Sequence, residues 1–367
     1  MIIQQATLRQ FRCFPEQTFT FDARVVVVEG ANGSGKSSLL EAIHYCCYLR
    51  SFRTHLNRDL IQLERDFFFV DLQFLPQDAH ASDSIQIGFS TADGKLAKLN
   101  QKPIQSYKEL ITQFRIVTLA ADDLELIGGA PELRRDFLNY ALALKNPAIL
   151  ATLKQYRVVQ GQRNALIAGA LTDVVPSDEW LVWTRQLWDL SRTIQTARVA
   201  YLAELELAVN ELLSSYFADE TTKDLSVSLA YQPKAMPAEQ DFDAFWKGYT
   251  DKLYHQEREW RRSLFGAHLD DFSVVFQKKR ARVYASRGQQ KLLVLLIKIA
   301  QLQQLSQSAE PGVLLLDDFM TDFDHDKVAK SIAALKDLQY QLFLSTPVSP
   351  TAFLRALGQH DVCHISL

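Results

Sequence analysis

VVVVEGANGSGKSSLLEAIHYC, residues 25–46, sets three local signals in a fixed order. Four consecutive valines, Val25 to Val28, suit a strand buried on both faces, because a strand with one wet face would alternate. A glycine-rich turn follows, and SLLEAIHYC then opens as a helix. Within the turn, Gly30-Ala31-Asn32-Gly33-Ser34-Gly35-Lys36-Ser37 fits the pattern GxxxxGK[ST]. Gly30, Asn32, Gly33 and Gly35 turn backbone N–H groups towards phosphate oxygens, and the helix start adds its positive dipole. Lys36 is placed to reach β- and γ-phosphates, the Ser37 hydroxyl to ligate Mg²⁺, and Ser38 extends the site into the first helical turn. The predicted ligand is ATP with Mg²⁺.

A strand-end signal accompanies this one. Val313-Leu314-Leu315-Leu316 is a second apolar run, and it delivers Asp317 and Asp318 at its carboxyl end. Asp317 is the candidate metal holder, acting through water. Asp318 is the candidate base, or water-positioning group, for attack on the γ-phosphate. Asp324, soon after, has two readings: part of the nucleotide site, or a cap for the helix HDKVAKSIAALK.

YASRGQQKLLVLLIKIAQL, residues 284–302, contains another anion-ready helix start, about 250 residues beyond the phosphate loop. Ser286, Gly288 and Gln289 stand at its head. A plain N-cap explains the serine but leaves Gly288, a poor helix former, without a reason.

The chain has 367 residues, too many for one simple core, so two domains or one domain with a large insertion are expected. Forty-seven per cent hydrophobic and 23% charged residues, with no low-complexity tract, describe an ordinary globular protein. No uncharged apolar stretch reaches the ~18 residues of a membrane span. The first residues, MIIQQATLRQFRCF, lack the features of a secretory signal, which predicts a cytoplasmic location. Cys13, Cys46, Cys47 and Cys363 show no metal-ligand spacing and read as reduced structural thiols. A net charge of −3 advertises no nucleic acid globally, so any DNA contact must come from local clusters. Three stand out: Arg50, Arg53 and Arg58; Arg258, Arg261 and Arg262; and Lys278, Lys279, Arg280 and Arg282.

Hydropathy patterning divides the chain. LRQFRCF and QTFTFD resemble edge strands, FFFVDLQF and SIQIGFS further strands, and Asp93-Gly94 a hairpin turn before KLAKLN. From about Pro131 the period becomes helical. PELRRDFLNYALALK stops at Asn146-Pro147, a second helix runs to about Leu171, and a third carries Trp180, Trp183, Leu187, Leu190, Ile194, Ala197, Tyr201, Leu205, Ala208 and Leu212 at 3-4 spacing. These predict an antiparallel arm with its turn near Pro176. Beyond residue 222 mixed structure returns, with LSVSLAY a strand, DFDAFWKGYTDKLYHQEREWRRSLFG a helix, and DFSVVFQ and ARVYAS a hairpin around Lys278-Lys279-Arg280. The expected fold class is α/β. The expected division is 1–115 and 223–367 as two parts of one ATPase head, with 116–222 an inserted helical lid or arm.

GxxxxGKS, SxGQQ and LLLDD, followed within six residues by another aspartate, is the ordered motif set of ABC-type ATPases. Over nearly its whole length the sequence resembles the RecF family of bacterial recombinational-repair ATPases, related to the SMC proteins. The resemblance is carried by LRQFRCF, GANGSGKSSLLEAIHYC, LRSFRTH, LAADDLELIGGAPELRRDFLN, LKQYRVVQGQRNALI, SRGQQKLL and LLLDDFMTDFD. GAHLDDF (266–272) departs from the family's GPHRxD-type segment at Ala267 and Leu269. An aspartate at 318, where many related ATPases carry glutamate, implies slow hydrolysis. The arm, ~100 residues by the division above and without a CxxC tip, is unlike the long coiled coils of SMC relatives. The resemblance implies an ATP-dependent homodimer in which the signature of one copy, Ser286 and Gly288 included, caps ATP on the phosphate loop of the other. It also implies weak, DNA-stimulated ATP hydrolysis, binding to single-strand gaps, single-strand/double-strand junctions and duplex DNA, and cooperation with RecR and RecO. Arg12 has two readings, a nucleotide contact implied by the class or a surface salt bridge. The competing function class is an ABC-type ATPase that regulates a protein partner, such as a defence module, without DNA preference.

Overall fold

The chain was analysed as a computed structural model that describes residues 2–76, 81–104, 107–169, 177–217, 225–234, 241–306, 312–318, 330–331, 333–335, 340–347 and 362–367. The expected arm turn near Pro176, and Asp324 with its following helix, lie outside these residues. Strands β1 (Ile2–Phe11), β2 (Phe14–Thr20) and β3 (Val25–Glu29) lead into helix α1 (Lys36–Tyr48). Strands β4 (Phe67–Leu75), β5 (Asp83–Ser90), β6 (Gly94–Leu99) and β7 (Lys102–Pro103), helix α2 (Tyr107–Gln113) and strand β8 (Ile116–Leu119) follow. Helices α3 (Glu125–Gly128), α4 (Pro131–Lys145), α5 (Ile149–Gly169) and α6 (Asp178–Tyr216) form the helical stretch. Then come β9 (Val227–Gln232), α7 (Phe242–Gly248), α8 (Tyr254–Trp260), β10 (Asp271–Phe276), β11 (Lys279–Arg280), α9 (Ala281–Tyr284) and α10 (Arg287–Ser306). β12 (Val313–Leu316), β13 (Gln341–Thr346) and β14 (Val362–Ser366) complete the order.

These elements fall into two compact units. The first comprises residues 1–124, 209–225 and 286–367, and the second residues 125–208 and 226–285. Strands β9 to β11 therefore cluster with the helices α3 to α5. The sequence division had placed residues 223–285 with the head.

In the first unit a five-stranded sheet has the order β14-β3-β13-β12-β8, with every pairing parallel. All four valines of β3 are buried, as a strand between two neighbours and covered on both faces requires. A six-stranded antiparallel sheet has the order β2-β1-β4-β5-β6-β7. Here β1 is internal, with β2 on one side and β4 on the other, so LRQFRCF is not an edge strand. Its alternating pattern reports one wet face, which an internal antiparallel strand also has. Edge-to-face aromatic contacts fill this core: Phe11 meets Phe68 at 5.3 Å between centroids, and Phe74 meets Phe114 at 5.1 Å. The Asp93-Gly94 turn joins β5 to β6 as the sequence predicts, with Gly94 at φ 81°.

In the second unit, α4 ends at Asn146 as Asn-Pro demands. The 3-4 seam of α6 buries Trp180, Leu187, Ile194 and Tyr201. The buried face is wider than that seam, for Thr184, Ser191, Gln195 and Arg198 are buried too. Their partners explain it. Asp270, fully buried, accepts from Gln195 Nε2 at 2.9 Å, Tyr231 OH at 2.6 Å and Lys234 N at 2.9 Å, and Arg198 donates to Ala267 O at 2.7 Å. The second carboxylate of GAHLDDF, Asp271, pairs with Arg134 at 2.6 Å, so this segment is a structural hub. A further buried pair joins α5 to α8, Arg163 to Glu257 at 2.5 Å, with Ser263, Tyr249 and Thr184 taking the remaining guanidinium donors. Removing one partner of such a pair costs ~3–5 kcal/mol.

The hairpin expected from DFSVVFQ and ARVYAS is shorter than predicted. β10 pairs with β11 only through Val275–Arg280 and Phe276–Lys279, and residues 281–284 fold as the helical turn α9. Gln277 and Lys278 form the two-residue turn with φ of 50° and 61°. Both are left-handed, the condition of a type I′ turn that Asn-Gly usually meets. Among the described residues, no helix is long and apolar enough to cross a membrane.

His44 on α1 gives the fold a pH dependence. Its Nδ1 lies 2.8 Å from Thr118 Oγ1, and burial, with the charges of Arg50 and Lys298, pushes its pKa down to about 3. Between about 6.5 and 3 the unfolded chain binds a proton that the native chain refuses, so stability falls as pH falls through that window. In urea titrations across the window, His44→Asn is expected to show a shallower acid slope than the parent. An unchanged slope would assign the acid lability to other groups.

Candidate nucleotide site

The phosphate loop sits between β3 and α1 and bends through two left-handed glycines, Gly33 at φ 86° and Gly35 at φ 109°. At Gly35 a Cβ would also lie 2.6 Å from Cys13 Sγ and 2.7 Å from the Phe14 ring. Glycine is therefore required there twice over, for backbone conformation and for space. At Gly33, by contrast, a Cβ would meet nothing within 4 Å, so only the backbone conformation demands glycine. Lys36 folds its ammonium onto the loop, donating to Gly30 O at 2.8 Å and Ala31 O at 2.9 Å. Ser34 Oγ is buried without a hydrogen-bond partner among the described residues. An open left-handed glycine, an ammonium held over the loop and an unpaired buried hydroxyl all suit an incoming phosphate.

The strand-end aspartates come to the same place. Ser37 Oγ donates to Asp317 Oδ1 at 2.8 Å, linking α1 to the end of β12. Ser345, at the end of β13 and fully buried, donates to the same oxygen at 2.8 Å. Ser345 Oγ also accepts from Asp318 N at 2.8 Å, which fixes Asp318 in a left-handed conformation at φ 47° with its residue exposed. Burial raises the Asp317 pKa; the Ser345 and Ser37 hydrogen bonds and the charge of Arg53 oppose that shift, and Asp318 reinforces it. Desolvation leads, so a bound cation would return electrostatic stabilisation to this carboxylate. Ser37 and Asp317 are the residues that would hold Mg²⁺, the one through its hydroxyl and the other as a carboxylate.

Arg12, next to the Cys13 that borders Gly35, is held in an ion pair with Glu41. Its Nε and Nη2 donate to Glu41 at 2.9 and 2.7 Å, and its Nη1 to Asp59 O at 2.7 Å. Glu41 itself is buried, one helical turn after Ser37 on α1, and also receives Ser51 Oγ and, at 3.5 Å, Arg53. Sequence reading passed over Glu41 because a carboxylate in a helix usually faces water. Ser345 follows the apolar run Leu342-Phe343-Leu344, and nothing in that pattern ties its hydroxyl to Asp317.

At the start of α10, Ser286 and Gln289 form a reciprocal capping box. Ser286 N donates to Gln289 Oε1 at 2.8 Å, and Gln289 N donates to Ser286 Oγ at 3.3 Å. The serine oxygen accepts in this pair, so its own O–H remains available to an anion. Gly288 lies in the first turn of the helix.

A phosphate loop after a buried parallel strand, an acidic strand end bonded to it, and a capped SxGQQ helix start define an ABC-type ATPase head. The chain belongs to the RecF family within the wider family described as the RecF/RecN/SMC N terminal domain, which matches residues 2–354. It is 30% identical over 328 residues to the DNA replication and repair protein RecF of an Exiguobacterium species, covering 88% of this chain and 87% of the relative. It is 29% identical over 353 residues to the protein of that name from Chloroherpeton thalassium, covering 94% and 95%. A solved structure of the recombination mediator protein RecF-ATP in the RecFOR pathway superposes with a TM-score of 0.82 at 24% identity, covering 95% of this chain and 92% of that one.

Ser345→Ala removes a donor to Asp317 and strands the Asp318 N–H, a loss of about 1–3 kcal/mol in stability. Phosphate release should slow by roughly tenfold or more as the Asp318 carboxylate loses its fixed position, a barrier change of about 1.4 kcal/mol. Ser345→Thr, which keeps the hydroxyl, should recover most of both. Unfolding midpoints and phosphate-release rates report the two effects separately.

Proposed function

We propose that the chain is an ATP-gated DNA clamp of recombinational repair, acting in the cytoplasm. Two copies close over two ATP molecules and grip DNA at single-strand gaps, single-strand/double-strand junctions or duplex. The clamp helps RecR and RecO load recombinase, and slow hydrolysis resets it. The observation that carries this reading is the coexistence, on one chain, of a phosphate loop and a second helix start whose serine retains a hydroxyl proton for an anion. Two such starts per chain are satisfied by a symmetric pair, each copy supplying the loop for one nucleotide and the cap for the other. The γ-phosphate then bridges the copies, and its loss on hydrolysis releases them.

Within each site the residues divide the work. Backbone N–H groups of Gly33 and Gly35 and the Lys36 ammonium hold phosphate oxygens, and Lys36 exchanges its two loop carbonyls for them. Mg²⁺, held by Ser37 and Asp317, would supply neutralisation of phosphate charge. Asp318, exposed and held by Ser345, is placed to orient the attacking water and accept its proton. Its short reach suits a timer more than a motor. Asp324 is assigned to the same nucleotide site from the sequence pattern alone. The names of the relatives, DNA replication and repair protein, support the DNA role over the regulation of a protein partner.

Sedimentation of a labelled gapped duplex with Asp318→Asn protein, with and without Mg-ATP, tests the clamp. That substitution should slow hydrolysis and spare nucleotide binding, so ATP should convert free DNA into a complex with two protomers. If ATP pairs the protein but DNA sediments alone, the nucleotide mechanism survives and the partner-regulating function replaces the clamp.

A further inference from the structure

Of the three basic clusters in the sequence, two are tempered by carboxylates. Arg53 leans on buried Glu41, and Arg58 is followed by Asp59. Arg258, held over the Tyr254 ring at 5.5 Å, is followed by exposed Glu259. The third differs. From Phe272 to Ala309 the sequence contains no aspartate or glutamate, and Lys278, Lys279, Arg280 and Arg282 are all exposed. None of these four forms an ion pair among the described residues.

Beside the cations stand two exposed apolar side chains. Tyr284 is 67% exposed and Val283 68%, and Lys279 Nζ lies 5.4 Å from the centroid of the Tyr284 ring. The first of the lysines sits in a tight turn. Gln277 and Lys278 hold consecutive left-handed conformations that asparagine and glycine would adopt with less strain. Asn100 and Gln101 do the same between β6 and β7, and what sets the β10–β11 turn apart is the exposed lysine it carries, followed by three more exposed cations.

We propose that the β10–β11 turn and α9 form a binding surface for single-stranded polynucleotide, with Tyr284 stacking on a base and Lys278, Lys279, Arg280 and Arg282 holding successive phosphates. This rests on the clamp function and specifies which DNA element one face of the protein takes. Four exposed cations within five residues concentrate positive charge where a polyanionic backbone would run. A flat ring flanked by a branched apolar side chain offers what an unpaired base needs, whatever its identity. A duplex keeps its bases inside and would use the cations alone. An acidic peptide would also use the cations but has no general use for the ring.

Fluorescence anisotropy of a labelled thymidine oligonucleotide and of a blunt duplex of equal length, on the full chain with Mg-ATP, tests this. Tyr284→Ala should weaken the single strand by about fivefold or more, as loss of one stacked base does, and leave the duplex within about twofold. Replacing all four cations by glutamine should weaken both, and should lower the single-strand salt slope by up to about 3, at ~0.7 per phosphate contact. Gln277→Asn with Lys278→Gly relaxes the turn while removing one cation. It should melt higher than the parent yet bind the single strand more weakly, a result that misfolding would not give. Parent-like affinities and salt slope in the four-cation variant overturn the proposal while leaving the clamp intact. Polyglutamate that competes through the same cations, with Tyr284→Ala without effect, assigns the surface to an acidic protein and overturns it as well. A parent protein that binds neither DNA would remove the clamp function and this surface together.

Discussion

The Asp317 carboxylate is where the first unit is tied together. One of its oxygens accepts from Ser37, at the start of α1, and from Ser345, at the end of β13, both at 2.8 Å. The three residues come from segments separated by 280 and 28 positions along the chain, so the bonds form only when β3, β12 and β13 are in register. Register here is a matter of parallel pairing. Leu316 lies opposite Leu344, and Leu344 opposite Val27, which brings three strand ends level. Two neutral hydroxyls on one oxygen of a half-buried carboxylate hold the geometry without cancelling the charge. The site is thereby positioned and still electrostatically unsatisfied, the condition in which a cation binds well.

Much of this was legible in residue order. Val25 to Val28 suits a strand covered on both faces, and the glycine-rich loop with a helix after it supports that reading. Apolar Val313 to Leu316 ending in two aspartates carried the companion strand. Where the sequence misled, a tertiary partner decided the outcome. ARVYAS has strand-forming Val283 and Tyr284, yet β11 offers only two residues for pairing, and the chain turns helical instead. Polar Thr184, Ser191, Gln195 and Arg198 fall outside the apolar seam of α6, and the buried Asp270 that takes Gln195 lies 75 residues further on. β14, short and half polar, carried no signal of its own; it is a strand because β3 has a free edge for it.

Glu41 illustrates a different kind of illegibility. A buried carboxylate is costly unless it is paired and hydrogen-bonded, and here Arg12, Arg53 and Ser51 all converge on it. The guanidinium of Arg12 thereby fastens the end of β1 to α1, while its third nitrogen reaches the carbonyl of Asp59. These bonds use three of the five guanidinium N–H groups, so Arg12 keeps two donors for a further acceptor while it holds Glu41 one turn from Ser37.

The order of the parallel sheet also bears on how the protein is made. β3 emerges early in translation, but both of its neighbours, β13 and β14, lie beyond residue 340. Until those last segments leave the ribosome, four bare valines have no strand to pair with on either side. Long-range parallel pairing is slow and leaves such edges open to wrong partners. The second unit, whose segments all lie between residues 125 and 285, is fully emerged before them and can settle first. A premature stop anywhere before residue 340 would release a chain whose phosphate loop hangs from an unpaired, aggregation-prone strand, so such products are expected to be cleared or to precipitate, with no partial ATPase activity surviving.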